Sequence, residues 1–571
     1  MKKTSLLALL LGLGLGPLVS AETPAVSTNT NQAVQPITPI PVDQNAVKKW
    51  QDDRFGMFIH WGPVSLTGQE ISWTRGKTNG IPVEVYDNLY KQFNPEKFNA
   101  DEWVAAAKAA GMKYIVLTCK HHDGFCLWNT KLTDYNIMSS PLKRDVVKEL
   151  AEACKKQGIK FGCYYSVPDV HHPDYPYNLT GRGHPKREKY DVDAYNRFLM
   201  GQTAELLQHY GPLVTVWYDT DGTVGETYDK NRGQTVINNA RKIQPDILIN
   251  ERTGAKGDYS TPEQKLGGFD MVRPWESCMT ISGHNRWAWA GEKDGAKPPG
   301  QVITMLAQCA GGDGNMLLNV GPRPDGMIDP VQVEAIRQVG DWLKVNGESI
   351  YGTRGGPYMP TPRYTATRKG NTVYLHILKW EGDTATLPPL GAEIVSSSLL
   401  SGGKAAVENT PSGLIVKVAP ADQKSPDTVV KLELKSDAMA LEPIKPQATC
   451  TAKASNFYKN NAEYGADKAI DGIPSTRWAA DANVTNAWLQ MDFPKPRTID
   501  SVFISEAQGN RVGKFTLECR EGDSWKEILS GTSIGANFRK KFHPVTTASV
   551  RLNILESSSG PSISEISFEN Q

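Results

Sequence analysis

The sequence predicts a multidomain chain in which a (β/α)8-like barrel precedes two all-β segments. Three observations carry this reading. The chain has 571 residues, too many for one small core. Over 46–354, short apolar runs alternate with longer helical periods. After 355 the helical period stops, and alternating apolar and polar residues broken by Gly, Pro, Asn and Asp take over.

The N-terminus reads "MKKTSLLALLLGLGLGPLVSAETP", with two lysines, an apolar run from Leu6 to Val19 and the small residues Ser20 and Ala21. This is the form of a signal peptide over 1–21, so an exported protein, periplasmic or extracellular, is expected. Residues 22–45 are rich in Pro, Thr, Asn and Gln and read as a flexible leader. No later run reaches the ~18 apolar residues of a membrane span.

Hydrophobic residues make up 39% and charged residues 22%, an ordinary globular balance. Lys plus Arg number 63 against 62 Asp plus Glu, which argues against nucleic acid or an anionic membrane as a main partner. The eight cysteines are scattered and several fall inside apolar stretches. Buried free thiols are the plainer reading, with bridges between some of them left open.

The strand candidates are "FGMFIHWG" (55–62), "KYIVLTCK" (113–120), "KFGCYYSV" (160–167), "LVTVWYD" (213–219), "DILINER" (246–252), "MVRPWES" (271–277) and "NMLLNVG" (315–321). Helical stretches such as "DEWVAAAKAAG" (101–111) and "VVKELAEACKKQG" (146–158) separate most of them. That alternation favours a parallel barrel, and no GxGxxG follows the first strand to favour a doubly wound sheet. "NTVYLHILKW", "GLIVKVAP" and "DTVVKLELK" suit a β-sandwich over 355–437, and a second all-β segment occupies 448–571.

Barrel strands deliver catalytic groups from their C-terminal ends. Here those ends carry His60-Trp61, His121-His122, Tyr164-Tyr165, Asp219, Glu251-Arg252, Trp275-Glu276 and Asn319. Carboxylates among aromatic and neutral hydrogen-bonding groups are the equipment for cleaving a glycosidic bond: one attacks or activates water, the other protonates the leaving oxygen. Asp221, followed by Gly222, reads instead as a turn former. A metal hydrolase using His60, His121, His122 and Asp123 competes with this reading. Adjacent residues on a strand face opposite ways, so at most one of His121 and His122 is expected to join such a site unless the backbone bends.

The motifs "RFGMFIHWGPVS" (54–65), "YIVLTCKHHDGFCLWNT" (114–130), "CYYSVPDVHHPDY" (163–175), "VWYDTDG" (216–222), "WESCMTI" (275–281) and "GNMLLNVGPRPDG" (314–326), in this order, resemble glycoside hydrolase family 29, the α-L-fucosidases. The resemblance implies exo-acting, retaining release of terminal α-L-fucose from oligosaccharides or glycoconjugates, with no cofactor for catalysis. It implies Asp219 as nucleophile and Glu276 as acid/base, with Glu251 the alternative acid. His60, Trp61, His121, His122, Tyr165, Trp217, Arg252 and Trp275 are the implied substrate-binding residues. The alternatives are a carbohydrate-binding protein with an inactive barrel, or a hydrolase of a related L-sugar such as L-galactose. "EISWTRG" (70–76) and "SGHNRWAWA" (282–290) depart from the family pattern where the aglycone side would be shaped.

"NNAEYGADKAIDGIPSTRWAADANVTNAWLQMDF" (460–493) resembles the discoidin-like coagulation-factor type C domain, close to carbohydrate-binding module family 32. This implies a second glycan as a partner and a structural calcium near Asp471 and Thr476, with a hydrogen-bonded turn there as the alternative.

Overall fold

The computed structural model describes residues 37–569 apart from 182, 224–227, 447–449, 473–475, 508–509 and 536–537. The signal peptide and most of the leader therefore lie outside the described residues. Seven strands form one parallel sheet: β1 (Phe55–Ile59), β2 (Tyr114–Lys120), β3 (Lys160–Ser166), β4 (Thr215–Asp219), β5 (Leu248–Ile249), β6 (Glu276–Thr280) and β7 (Asn315–Val320). Their order is β5-β4-β3-β2-β1-β7-β6, with every neighbour parallel.

The sheet curls, and an irregular segment spans the gap between β5 and β6. Asn250 bridges Tyr259, Ser260 bridges Trp275, and Glu263 bridges Cys278, all in parallel sense. Glu276 and Cys278 donate their backbone N–H groups to Ser260 and Pro262, and Gln264 donates back to Cys278. The seven regular strands thus gain an eighth stave with no ladder of its own. No helix follows β5, whereas helices follow most of the other strands.

Strands covered on both faces read as continuous apolar runs, and here the alternate residues serve two different cores. Phe55, Met57, Ile59, Leu117, Cys163, Tyr165, Tyr218 and Leu318 face outward into the layer beneath the helices. Phe58, Tyr114, Val116, Tyr164, Trp217, Cys278 and Leu317 face inward and fill the barrel. Gly56 belongs to the inner set because a Cβ there would lie 2.4 Å from the Tyr114 ring. The helices Ala100–Ala109, Val146–Gln157, Val192–His209 and Lys230–Ile243 start at Asn99, Asp145, Asp191 and Asp229, whose side chains each accept a first-turn N–H.

Beyond the barrel, a five-stranded and a three-stranded antiparallel sheet enclose Val373, Leu375, Leu414, Val416, Val430 and Leu432. A second all-β unit packs Trp478, Leu489, Phe515 and Leu552 at its centre. All eight cysteines are buried and free, so no bridges form. No helix among the described residues is long and apolar enough to cross a membrane.

Candidate active site

The inward phase of the strands decides which side chains meet at the mouth of the barrel. From β1 the inward residues are Phe58 and then His60; from β3, Tyr164; from β4, Trp217 and Asp219. They line one pocket together with Trp73, His121, Arg252, Glu263, Cys278 and Trp287.

Asp219 is the last residue of β4. Its Oδ1 accepts from Arg252 Nη1 at 2.7 Å and its Oδ2 from the Tyr164 hydroxyl at 2.7 Å. Burial alone would push its pKa up, but the Arg252 guanidinium and the Tyr164 hydroxyl bring it below the ordinary carboxylate value. Asp219 is therefore an anion at neutral pH. Arg252 stacks over the Trp217 ring with its guanidinium carbon 4.8 Å from the centroid.

The same Arg252 Nη1 also donates to Glu263 Oε2 at 2.9 Å. One nitrogen thus joins two carboxylates, whose bonded oxygens lie within about 5.6 Å, the sum of the two contacts. Carboxyl pairs about 5–5.5 Å apart belong to retaining glycoside hydrolysis. The Glu263 side chain is 44% exposed, against 13% for Asp219. It sits at the open side of the pocket, on the irregular stave, whereas Asp219 lies deep.

His60, His121 and His122 are all buried, and burial is the main cause that lowers their pKa values, His60 to about 4. All three are neutral at pH 7. Both His121 and His122 reach the site, because the backbone bends where strand alternation alone would admit one of them. Strand β2 stops at Lys120, and the chain beyond it turns, so the two rings come within 4.3 Å of each other. His122 Nε2 stands 3.8 Å from Asp219 Oδ2.

Trp287 packs against His60, with centroids 4.9 Å apart, and its backbone is clamped from two directions. Glu70 accepts the N–H groups of Trp287 and Ala288 at 3.0 and 2.9 Å, and Asn319 Nδ2 donates to the Trp287 carbonyl at 2.7 Å.

Several residues expected at the site lie elsewhere. Glu276 opens β6 instead of closing a strand, so it sits at the far end of the barrel interior. It is fully buried and takes hydrogen bonds from the Tyr114 hydroxyl and, at 3.2 Å, from Trp217 Nε1. Burial pushes its pKa up to about 7. It does not line the pocket. Trp61 faces outward among Phe93, Phe98 and Trp103. Tyr165 also faces outward and donates to Gln202 at 2.7 Å, so Tyr164 is the β3 tyrosine of the site. Trp275 is buried outside the pocket, bonded to the Gly312 carbonyl. Each of these three is one residue out of phase with the inward set.

Glu251 pairs with Arg273 at 2.6 Å and accepts from the Thr261 N–H, a salt-bridged strand-end residue. Asp221 accepts from Thr223 and from the Gly181 N–H and so braces its loop.

Asp123, from the competing metal reading, is committed to the Tyr86 hydroxyl and the Phe125 N–H. Among the described residues, His121, His122 and Asp219 are the group that brings ligand atoms within 4.8 Å of one another. In the C-terminal unit the Thr476 hydroxyl contacts both Asp471 oxygens, at 2.9 and 3.0 Å.

A barrel whose mouth sets a carboxylate anion beside a second carboxyl, walled by histidines and aromatic rings, defines a glycoside hydrolase. Residues 23–348 match the family model described as alpha-L-fucosidase, and residues 449–567 match the F5/8 type C domain. Human plasma alpha-L-fucosidase is 31% identical over 372 residues, which covers 59% of this chain and 78% of that one. Alpha-L-fucosidase isoenzyme 1 from Paenibacillus thiaminolyticus is 35% identical with a TM-score of 0.62, covering 69% of this chain and 99% of that one. A GH29 alpha-L-fucosidase from Bacteroides thetaiotaomicron, trapped as a covalent intermediate in a glutamate-to-glutamine variant, is 27% identical with a TM-score of 0.62, covering 70% and 98%. The chain belongs to the α-L-fucosidase family, with a C-terminal F5/8 type C domain.

Proposed function

We propose that Asp219 is the nucleophile and Glu263 the general acid/base of an exo-acting, retaining α-L-fucosidase. The supporting observation is the shared Arg252 Nη1, which holds the two carboxylates side by side, no more than about 5.6 Å apart, within reach of the separation that retaining hydrolysis uses. Asp219, held ionised by Arg252 and Tyr164, attacks C1 of fucose as the C1–O bond to the aglycone breaks. Glu263 gives its proton to the departing oxygen. Water then loses a proton to Glu263 and opens the fucosyl ester at C1, so configuration is retained and both carboxyl groups return to their starting states. Phe58 and Trp287 offer an apolar wall suited to the C6 methyl group of fucose. The test is an aryl 2-fluoro-fucoside: intact-mass measurement should find one fluorofucosyl adduct, and peptide mapping should place it on Asp219. An adduct on another residue overturns the assignment.

We propose domains at 46–354, 355–437 and 448–571, a chain exported after cleavage of 1–21, and a second glycan site on the C-terminal unit. N-terminal sequencing of protein recovered outside the cytoplasm should begin near Glu22. We also propose a structural calcium at the Asp471 turn, where the carboxylate, the Thr476 hydroxyl and the Lys468 carbonyl converge. Chelation should then lower the melting temperature. An unchanged value leaves Asp471 and Thr476 as a hydrogen-bonded turn.

A further inference from the structure

We infer that hydrogen bonds made behind the pocket fix the tautomers of its three histidines, so that His60 presents an acceptor and His121 a donor to the substrate hydroxyls. Ser72, Asn319 and Ser166 are then positioning residues. The inference rests on the fucosidase reading only in naming the ligand as a sugar.

The assignment follows from counting protons. Asn319 Nδ2 donates to the Trp287 carbonyl at 2.7 Å, which orients the amide. Its Oδ1 therefore faces His60 Nδ1 at 2.6 Å, and an amide oxygen can only accept. The proton of His60 is on Nδ1, and its Nε2 is a bare acceptor.

His121 has the opposite form. Ser72 Oγ accepts the Asp123 backbone N–H at 2.9 Å and lies 2.7 Å from His121 Nδ1. Ser72 is fully buried, and no other acceptor for its hydroxyl proton is present among the described residues. The hydroxyl therefore donates to Nδ1, which leaves the His121 proton on Nε2. Ser72 reaches this position with φ of 57°, uncommon for a residue other than glycine, and its own N–H is held by the Tyr86 hydroxyl at 2.7 Å.

Ser166 resolves His122. Its hydroxyl donates to the Pro168 carbonyl, so toward His122 Nδ1, at 2.5 Å, it can only accept. His122 thus carries its proton on Nδ1 and turns a bare Nε2 toward Asp219.

The pocket wall therefore offers an acceptor at His60 and a donor at His121, with the His122 acceptor behind it beside Asp219. A hydroxyl between His60 and His121 can satisfy both at once, because it donates and accepts. A fluorine there can only accept, and an ammonium can only donate. The burial that keeps all three rings neutral preserves this pattern across ordinary pH.

Neutron diffraction from deuterium-exchanged crystals of the full chain should place deuterium on His60 Nδ1, His121 Nε2 and His122 Nδ1. Deuterium on His60 Nε2 or His121 Nδ1 overturns the proposal. In solution, long-range 1H–15N spectra of the 15N-histidine-labelled enzyme should show one ring changing tautomer in Ser72→Ala and a different ring in Asn319→Leu. Ser72→Ala should lower kcat/KM about tenfold, the size of one lost hydrogen bond. Unchanged spectra in both variants count against the proposal even if activity falls. Tautomers as assigned in an enzyme that ignores fucosides would instead sink the functional reading and leave this one standing.

Discussion

Trp217 stands between Asp219 and Glu276: its ring lines the pocket while its indole N–H points down to the Glu276 carboxyl. The two acids occupy opposite ends of the barrel interior, so only one of them can touch a substrate.

Substitution separates Glu263 from Glu276. Glu263→Ala should slow hydrolysis of fucosides with poor leaving groups by about 10²–10⁴-fold while sparing activated aryl fucosides. Glu276→Gln keeps the shape and the acceptor for Trp217, and its kcat/KM should stay within about tenfold of wild type. A flat leaving-group dependence in Glu263→Ala would return the acid role to another residue.

Asp219→Ala should cost roughly 10⁴-fold or more in kcat, as loss of a nucleophile does. Azide, small enough for the vacated space, should restore part of the rate and yield fucosyl azide of inverted configuration. Near-normal turnover without azide would remove Asp219 from the role.

Glu276 also makes stability depend on pH. Below its unfolded value of 4.5 it is protonated both folded and unfolded. As pH rises, the unfolded chain ionises first, because burial holds the folded group near 7. Stability contributed at low pH is therefore lost as pH climbs from 4.5 through about 7, by on the order of 3 kcal/mol. Glu276→Gln should flatten this slope, so the variant gains on wild type between pH 4.5 and 8. Parallel denaturant midpoints over that range would contradict it.

Glu70 tests the Trp287 clamp. Glu70→Ala strands the Trp287 and Ala288 N–H groups and frees the wall against His60. KM should rise about tenfold with kcat less affected. A lower kcat at unchanged KM would show that the wall does not contribute to substrate binding.

The fold was legible because strand and helix periods alternate clearly from β1 to β5 and again from β6 onward, the irregular stretch between β5 and β6 apart. Asp219, His60, Trp217 and Arg252 were legible too, since each lies at or just beyond a strand end that the apolar runs mark. Phase was harder. "CYYS" and "IHW" do not say which neighbour faces inward, so the pattern points to the outward Tyr165 and Trp61 as readily as to His60. Trp275 and Glu276 lie outside the pocket because β6 begins at Glu276, whereas the sequence pattern ends a strand there. Glu263 carried no signal: "STPEQKLGG" has neither period, and only the folded ring brings it beside Arg252. Ser72, at a departure from the family pattern, has no motif of its own, and only the fold sets its hydroxyl behind His121.

The stave that completes the ring is stitched by a few isolated bridges and is followed by no helix before β6, yet it carries Glu263. Such segments open at lower free energy than the ladders around them. Warming should therefore silence the enzyme before it melts, as the proton donor drifts from an otherwise intact barrel.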